Sequence, residues 1–242
     1  MSFNKFGFQK TIIDAINDVG YTNPTKIQSE AIPIILENKD LLASSNTGTG
    51  KTAAFSLPII SKTIKLKKQQ NQNKAENPYA LIIAPTRELV QQIFDNFKLF
   101  GKKSFLRYTC VYGGINKKLQ IKILKEGCDI LIATPGRLLD LFNEKVIDLS
   151  KINTLVLDEA DQMLDMGFLP DVKKIVSKLP RDRQTLLFSA TLPTSIIKLA
   201  KSLLNNPIRI DATPEKISLD KIRQEVYFVD QKNKLQLLKI GS

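Results

Sequence analysis

"LLASSNTGTGKT", Leu41–Thr52, is the stretch on which the fold turns. Its first four residues are apolar or small, as a buried strand requires. Ser45–Thr52 then fits the phosphate-loop pattern G-x-x-x-x-G-K-[ST], with serine in the first glycine position. The next run, "KTAAFSLPIISKTI" (51–64), reads as a helix. Strand, loop and helix in that order are the context a phosphate loop needs, because successive loop amides and the helix N-terminus then face an anion together. In this reading Ser45, Asn46, Thr47, Gly48, Thr49 and Gly50 form the cradle, Lys51 reaches the terminal phosphates and Thr52 ligates Mg²⁺. The competing reading is a Gly-Thr turn beside an exposed lysine.

Outward from this loop the chain alternates. Apolar runs stand at "ALIIA" (80–84), "TCVY" (109–112), "DILIA" (129–133), "TLVLD" (154–158), "TLLFS" (185–189) and "IRI" near 208. Several are apolar throughout, the mark of strands buried on both faces. Between them lie stretches such as "TRELVQQIFDNFKLF" and "PTSIIKLAKSLL", whose apolar residues recur every three or four positions. The pattern predicts an α/β fold with a mostly parallel central sheet and helices on both faces. Each strand is followed at once by small, hydroxyl or charged residues, so these ends should converge on one rim, where ligands of such sheets bind. Residues 67–77 read as a surface loop. The segment from Ala212 reads as a linker, followed by a strand at "EVYFVD" (225–230) and a helix at "KLQLLKI" (234–240).

Composition narrows the chemistry. The 242 residues include no histidine, which removes Ser-His-Asp and Cys-His catalysis and the common zinc sites. Two cysteines, Cys110 and Cys128, lie among apolar residues and make neither a disulfide framework nor a metal spacing. No apolar run is long enough to span a membrane and the N-terminus lacks a signal-peptide core, so a cytoplasmic protein is expected. The net charge of +12 suits a polyanionic partner, and residues 102–125 hold seven basic side chains with no acidic one.

A phosphate loop needs a carboxylate at the end of another strand to hold Mg²⁺. "TLVLDEAD" supplies it: Asp158 ends the apolar run as the metal-side residue, and Glu159 is placed to polarise an attacking water. Acidic residues opening a helix, favoured there by the dipole, are the plainer alternative.

These residues carry a resemblance. The chain is similar to the first RecA-like domain of DEAD-box ATP-dependent RNA helicases: "DEAD" stands at 158–161, "SAT" at 189–191, "PTREL" at 85–89, "GG" at 113–114, "TPGR" at 134–137 and "GYTNPTKIQ" at 20–28. "MSFNKFGF", "VYGG" and "DEADQMLDMGF" most resemble the bacterial RhlE-like branch. The resemblance covers about residues 1–211. It implies a RecA-like P-loop NTPase domain over 1–211, a linker and the start of a second RecA-like domain over 212–242, ATP and Mg²⁺ as cofactors and RNA as partner.

It also implies roles. Gln28 would read the adenine edge, with Tyr21 or Phe3 packed against the base, although plain core packing explains an aromatic there equally well. Lys51, Asp158 and Glu159 would be the catalytic set. Pro85, Thr86, Arg87, Gly113, Gly114, Thr134, Pro135, Gly136 and Arg137 would hold the RNA backbone, Arg137 having an alternative as an ion-pair partner, and the basic stretch 102–125 would add salt-dependent affinity. Asp161, Ser189, Ala190 and Thr191 would link the nucleotide and RNA sites, the hydroxyls being alternatively a helix cap ahead of Pro193. A nucleotide-gated RNA-binding module without turnover fits the same motifs.

Overall fold

The computed structural model describes residues 2–70, 77–212 and 228–231. A 3₁₀ turn at Phe3–Phe6 is followed by α1 (Lys10–Asp18), α2 (Lys26–Leu36), β1 (Leu41–Ser44), α3 (Lys51–Gln69), β2 (Ala80–Ile83), α4 (Arg87–Phe100), β3 (Tyr108–Val111) and α5 (Lys117–Lys125). Then come β4 (Ile130–Ala133), α6 (Pro135–Asn143), β5 (Thr154–Leu157), α7 (Ala160–Asp165), α8 (Leu169–Val176), β6 (Gln184–Ser189), α9 (Thr194–Leu203) and β7 (Ile208–Asp211). The strands form one seven-stranded sheet in the order β3-β4-β2-β5-β6-β1-β7, and every pairing is parallel.

Alternation within the strands makes two cores. Leu41, Ala43, Ile82, Ile130, Ile132, Val156, Leu186 and Phe188 point to the face covered by α1–α4. Leu42, Leu81, Ile83, Leu131, Leu155, Leu157 and Leu187 point to the opposite face, covered by α5–α9. Side chains alternate with period 2 along a strand, so strands buried on both sides must be apolar at nearly every position.

Register fixes the rim. Ser44 pairs with Ser189 and Asp211, and Ile83 with Ala133 and Leu157. The segments following β1, β2, β4, β5 and β6 therefore leave the sheet on the same side. None of the helices among the described residues is long and apolar enough to cross a membrane.

The loop expected at 67–77 starts later than the sequence suggested. α3 continues to Gln69, and Lys67 is fully buried against Asp129 at 2.8 Å, whose other carboxylate oxygen accepts the Arg107 amide at 2.8 Å. A buried partner, which a polar run does not advertise, extends the helix. The linker at 213–227 and the helix at 234–240 lie outside the described residues. Of the strand expected at 225–230, Phe228–Asp230 are described and are not in a strand.

Candidate nucleotide and nucleic-acid site

β1 delivers the phosphate loop to the carboxyl rim. Ser45 is fully buried, its amide bonded to Ser189 O at 3.0 Å, and its hydroxyl lies 2.5 Å from Thr49 Oγ1, which itself donates to Asn46 O at 2.8 Å. The unusual serine thus closes the loop from inside. Gly50 caps α3 with φ 92°, and a Cβ there would lie 2.4 Å from Gln28 Nε2. Only glycine meets both constraints.

Tyr21, Thr47, Gly48, Gly50, Lys51, Thr52, Asp158 and Glu159 line one cavity of about 290 Å³. The Lys51 ammonium is buried and has no hydrogen-bond partner among the described residues. Asp158, 2% exposed, has its carboxyl pushed up to about 6, because burial outweighs the opposing pull of Lys51, and Glu159 and Asp161 add repulsion. Glu159 begins α7 in the left-handed region, φ 54°, and its amide donates to Asp158 Oδ1 at 3.0 Å. A non-glycine residue held there is strained by about 1–3 kcal/mol, and such strain clusters at working sites. A buried, unsatisfied cation beside a desolvated carboxylate is a site prepared for a phosphate and a hard metal ion. Among the described residues no cluster of three acidic, Cys or His side chains could hold a metal alone. Thr52 and Asp158 therefore fit Mg²⁺ only in the manner usual for that ion, one carboxylate together with phosphate oxygens and water.

Other expected nucleotide residues stand behind this cavity. Phe3 is buried and stacks on Tyr21 with 6.4 Å between centroids, while Tyr21 is 39% exposed and faces the cavity. Tyr21 is thus the available aromatic and Phe3 its support. Gln28 is 2% exposed: its oxygen accepts the Thr25 amide at 2.9 Å, completing a capping box on α2, and its Nε2 donates to Gly50 O at 3.2 Å. Its amide ties α2 to the phosphate loop. Leu89, Gln92 and Asn96, which sequence reasoning passed over, also line the cavity. They recur at helical spacing along α4 from its Thr86 cap, a signal that was there to be read.

The second expected set gathers next door. Pro85, Thr86, Arg87, Gly113, Gly114 and Thr134 surround a cavity of about 380 Å³, with Glu88, Met166 and Phe168 completing it. Thr86 caps α4, accepting the Leu89 amide at 3.2 Å, and Thr134 precedes α6, whose first residue is Pro135. Gly114, at φ 82°, lets the Arg87 guanidinium lie where a Cβ would be, 2.5 Å from its Nη1. Gly136 is exposed at the start of α6. Arg137 is already engaged, with Nη1 at 3.5 Å from Ile115 O and Nε at 3.6 Å from Asp140, as its ion-pair alternative anticipates.

The expected coupling residues form a hydrogen-bonded bridge around Asp161. Thr191 donates to Asp161 Oδ2 through its amide at 2.8 Å and its hydroxyl at 2.9 Å. The Asp161 amide donates to Ser189 Oγ at 3.2 Å, and Ser189 Oγ donates to Thr191 O at 2.7 Å. Partial burial alone would raise the Asp161 carboxyl, yet bonds from Thr191, Ser189 and Ala190 hold it below the usual range. The helix-cap alternative for these hydroxyls fails, since the cap of α9 is Pro193 and no side chain bonds there.

The basic run divides. Lys102 and Lys103 pair with Asp18 at the end of α1, and Arg107 bonds to Glu126 O. They follow α4 and precede β3, which puts them at the amino rim, away from the cavities. Lys117 pairs with Asp140 and Glu144. Exposed Lys118, Lys122 and Lys125 on α5 remain as the basic face. Cys110 and Cys128 are free, their thiols pushed up by burial to about 11 and about 12, and so inert.

A parallel sheet with a phosphate loop, a buried strand-end aspartate and a linked hydroxyl motif on one rim defines a RecA-like nucleotide-binding domain. The profile of the DEAD/DEAH box helicase family matches residues 25–199, and the chain belongs to that family. It is 47% identical over 209 residues to DEAD-box ATP-dependent RNA helicase 24 of Arabidopsis thaliana, covering 86% of this chain and 27% of that protein. To the DEAD-box ATP-dependent RNA helicase RhpA of Helicobacter pylori it is 41% identical over 237 residues, covering 98% of this chain and 46% of that one. The crystal structure of a DEAD box protein from Methanococcus jannaschii superposes with a TM-score of 0.80 at 36% identity, over 98% of this chain and 62% of that chain. The chain thus spans less than half of these two curated relatives.

Proposed function

We propose that this chain is the ATP-binding half of a DEAD-box RNA helicase, whose complete form couples Mg-ATP hydrolysis to RNA binding and local strand separation. The observation that carries the proposal is the pairing, in one cavity, of the unsatisfied buried Lys51 ammonium with the desolvated Asp158 carboxylate. Lys51 binds terminal phosphate oxygens. Asp158 and Thr52 hold Mg²⁺, which offsets phosphate charge when bound. Glu159 orients a water and accepts its proton. Tyr21 covers the base. Thr86, Arg87, Gly113, Gly114, Thr134 and Gly136 contact the RNA backbone through hydroxyls, amides and one guanidinium, groups that grip phosphate and read little sequence, while Pro85 and Pro135 shape the turns that present them. Asp161, bonded to Thr191, passes the state of one cavity to the other.

Residues 1–211 form the nucleotide-binding domain in this reading, β7 being its last strand, and 212–242 lead toward a second RecA-like domain. That domain supplies arginines, which in related phosphoryl-transfer enzymes are worth on the order of 10³–10⁵ in kcat. The relatives' greater length supports this, and the cytoplasm suits two free, inert thiols. Steady-state ATPase of the full-length protein, with and without RNA, is the test. RNA-stimulated turnover is expected. Nucleotide binding without turnover would favour an RNA-binding module instead.

A further inference from the structure

A cavity of about 630 Å³ lies not at the carboxyl rim but at the opposite one, beside Asn153 ahead of β5 and Gln184 at the start of β6. We propose that it is a second ligand site, which takes a small organic phosphate. Lys62, three turns into α3, lines it and lies about 16 Å along the helix from Lys51, at 1.5 Å per residue. No single small ligand would fill both cavities.

The cationic wall is built rather than incidental. Lys62 Nζ donates to Gln184 Oε1 at 2.6 Å, and the Gln184 amide nitrogen donates to Lys39 O at 2.7 Å and Ile35 O at 3.2 Å. Gln184 is thereby locked and holds the ammonium in place. An ammonium has three donors, so two remain for a ligand. Arg183, on the same wall, spends Nη1 on Pro180 O at 2.6 Å, while its buried Nε has no partner among the described residues. Neither side chain has an ion-pair partner among the described residues. Exposed Lys65 and exposed Asp182 also line the cavity and nearly offset each other, and the buried Asp40 carboxylate, which accepts the Thr185 and Asn205 amides, acts on Arg183 from behind the wall, leaving Lys62 as the cation without an opposing charge. Burial pulls the Lys62 ammonium down to about 8, the signature of a cation lacking a counter-charge. A phosphate would supply acceptors for the spare Lys62 donors and for Arg183 Nε at once. Phe6, Leu36 and Leu66 provide the apolar wall. At this volume, within the range of small-molecule sites, a bare ion would leave most of the space to water.

The test is a per-residue NMR titration of the protein with glucose 6-phosphate, inorganic phosphate and glucose. Expected are saturable shifts of the Gly7, Asn38, Thr63 and Asn153 amides with glucose 6-phosphate, weaker binding of inorganic phosphate, and none of glucose. Lys62→Met and Arg183→Met should each weaken that binding about tenfold or more, leaving the response of the Gly48 and Gly50 amides unchanged. Rim amides that do not move in the wild-type protein would overturn the proposal. So would shifts that survive both substitutions, or inorganic phosphate binding as tightly as the sugar phosphate.

Discussion

Replacing Asp158 by asparagine should make the domain progressively more stable, relative to wild type, as pH rises from 4 to 7. The magnitude comes from the site. Asp158 is buried and its carboxyl stands at about 6 against an ordinary 3.8, roughly two units. At 1.36 kcal/mol per unit this corresponds to about 3 kcal/mol. The sign depends on which state ionises first. Below pH 3.8 both folded and unfolded chains carry the proton and the group costs nothing. Between that value and about 6 the unfolded chain ionises while the folded one keeps its proton, so stability falls with pH. Asparagine does not titrate, and its oxygen still accepts the Glu159 amide. The attraction between Lys51 and the ionised carboxylate is already contained in the value of about 6, so it adds nothing further to the slope. The stability difference between variant and wild type should therefore grow by about 3 kcal/mol in favour of asparagine, read from urea unfolding at pH 4, 5, 6 and 7. A flat difference would mean that attraction to Lys51 cancels desolvation, one growing toward acid that it outweighs it, and either that the cavity is not strained toward binding. The variant should at the same time lose Mg-dependent nucleotide affinity, the stability having been given up for that function.

Gly50→Ala should destabilise the domain by about 2 kcal/mol, because the new Cβ meets Gln28 Nε2 in a left-handed backbone; thermal unfolding reads this, and an unchanged midpoint would show that the loop relaxes freely. Gln28→Ala should cost about 1 kcal/mol through the lost capping box and, its amide being turned to Thr25 and Gly50, weaken ATP and GTP alike, whereas a loss confined to ATP in competition assays would show that it reads the adenine edge. Ser45→Ala should change nucleotide affinity only a few-fold, since Thr49 Oγ1 keeps its bond to Asn46 O; a loss beyond about tenfold, ~1.4 kcal/mol, would make the Ser45 hydroxyl part of the site.

The strands were legible almost residue by residue. "LLAS" and "TLLFS" are apolar because both faces are buried, and that burial also told which ends carry ligands. Lys51, Asp158 and Glu159 could be placed together from the chain alone, since parallel strands deliver their carboxyl ends to one rim. Side-chain direction was less accessible. Nothing in "GYTNPTKIQ" reveals that the Gln28 amide turns inward to Thr25 and Gly50, or that Phe3 sits behind Tyr21 rather than beside it. The basic run from 102 to 125 looked continuous along the chain, yet β3 carries Lys117 to the rim opposite Lys102, Lys103 and Arg107, and α5 then brings Lys125 back beside Glu126, to which Arg107 bonds. Met166 and Phe168 reach the second cavity only through the packing of the turn after α7, which no local pattern announces.

The functional reading stands or falls on whether the buried Lys51 ammonium takes phosphate. Isothermal titration of the chain with Mg-ATP, set beside the same titration of Lys51→Ala, addresses it most directly. The expected result is saturable, magnesium-dependent binding to the wild-type protein and a loss of at least about tenfold, ~1.4 kcal/mol, in the variant. Equal affinities for the two proteins, or no binding to the wild type in the presence of magnesium, would contradict it.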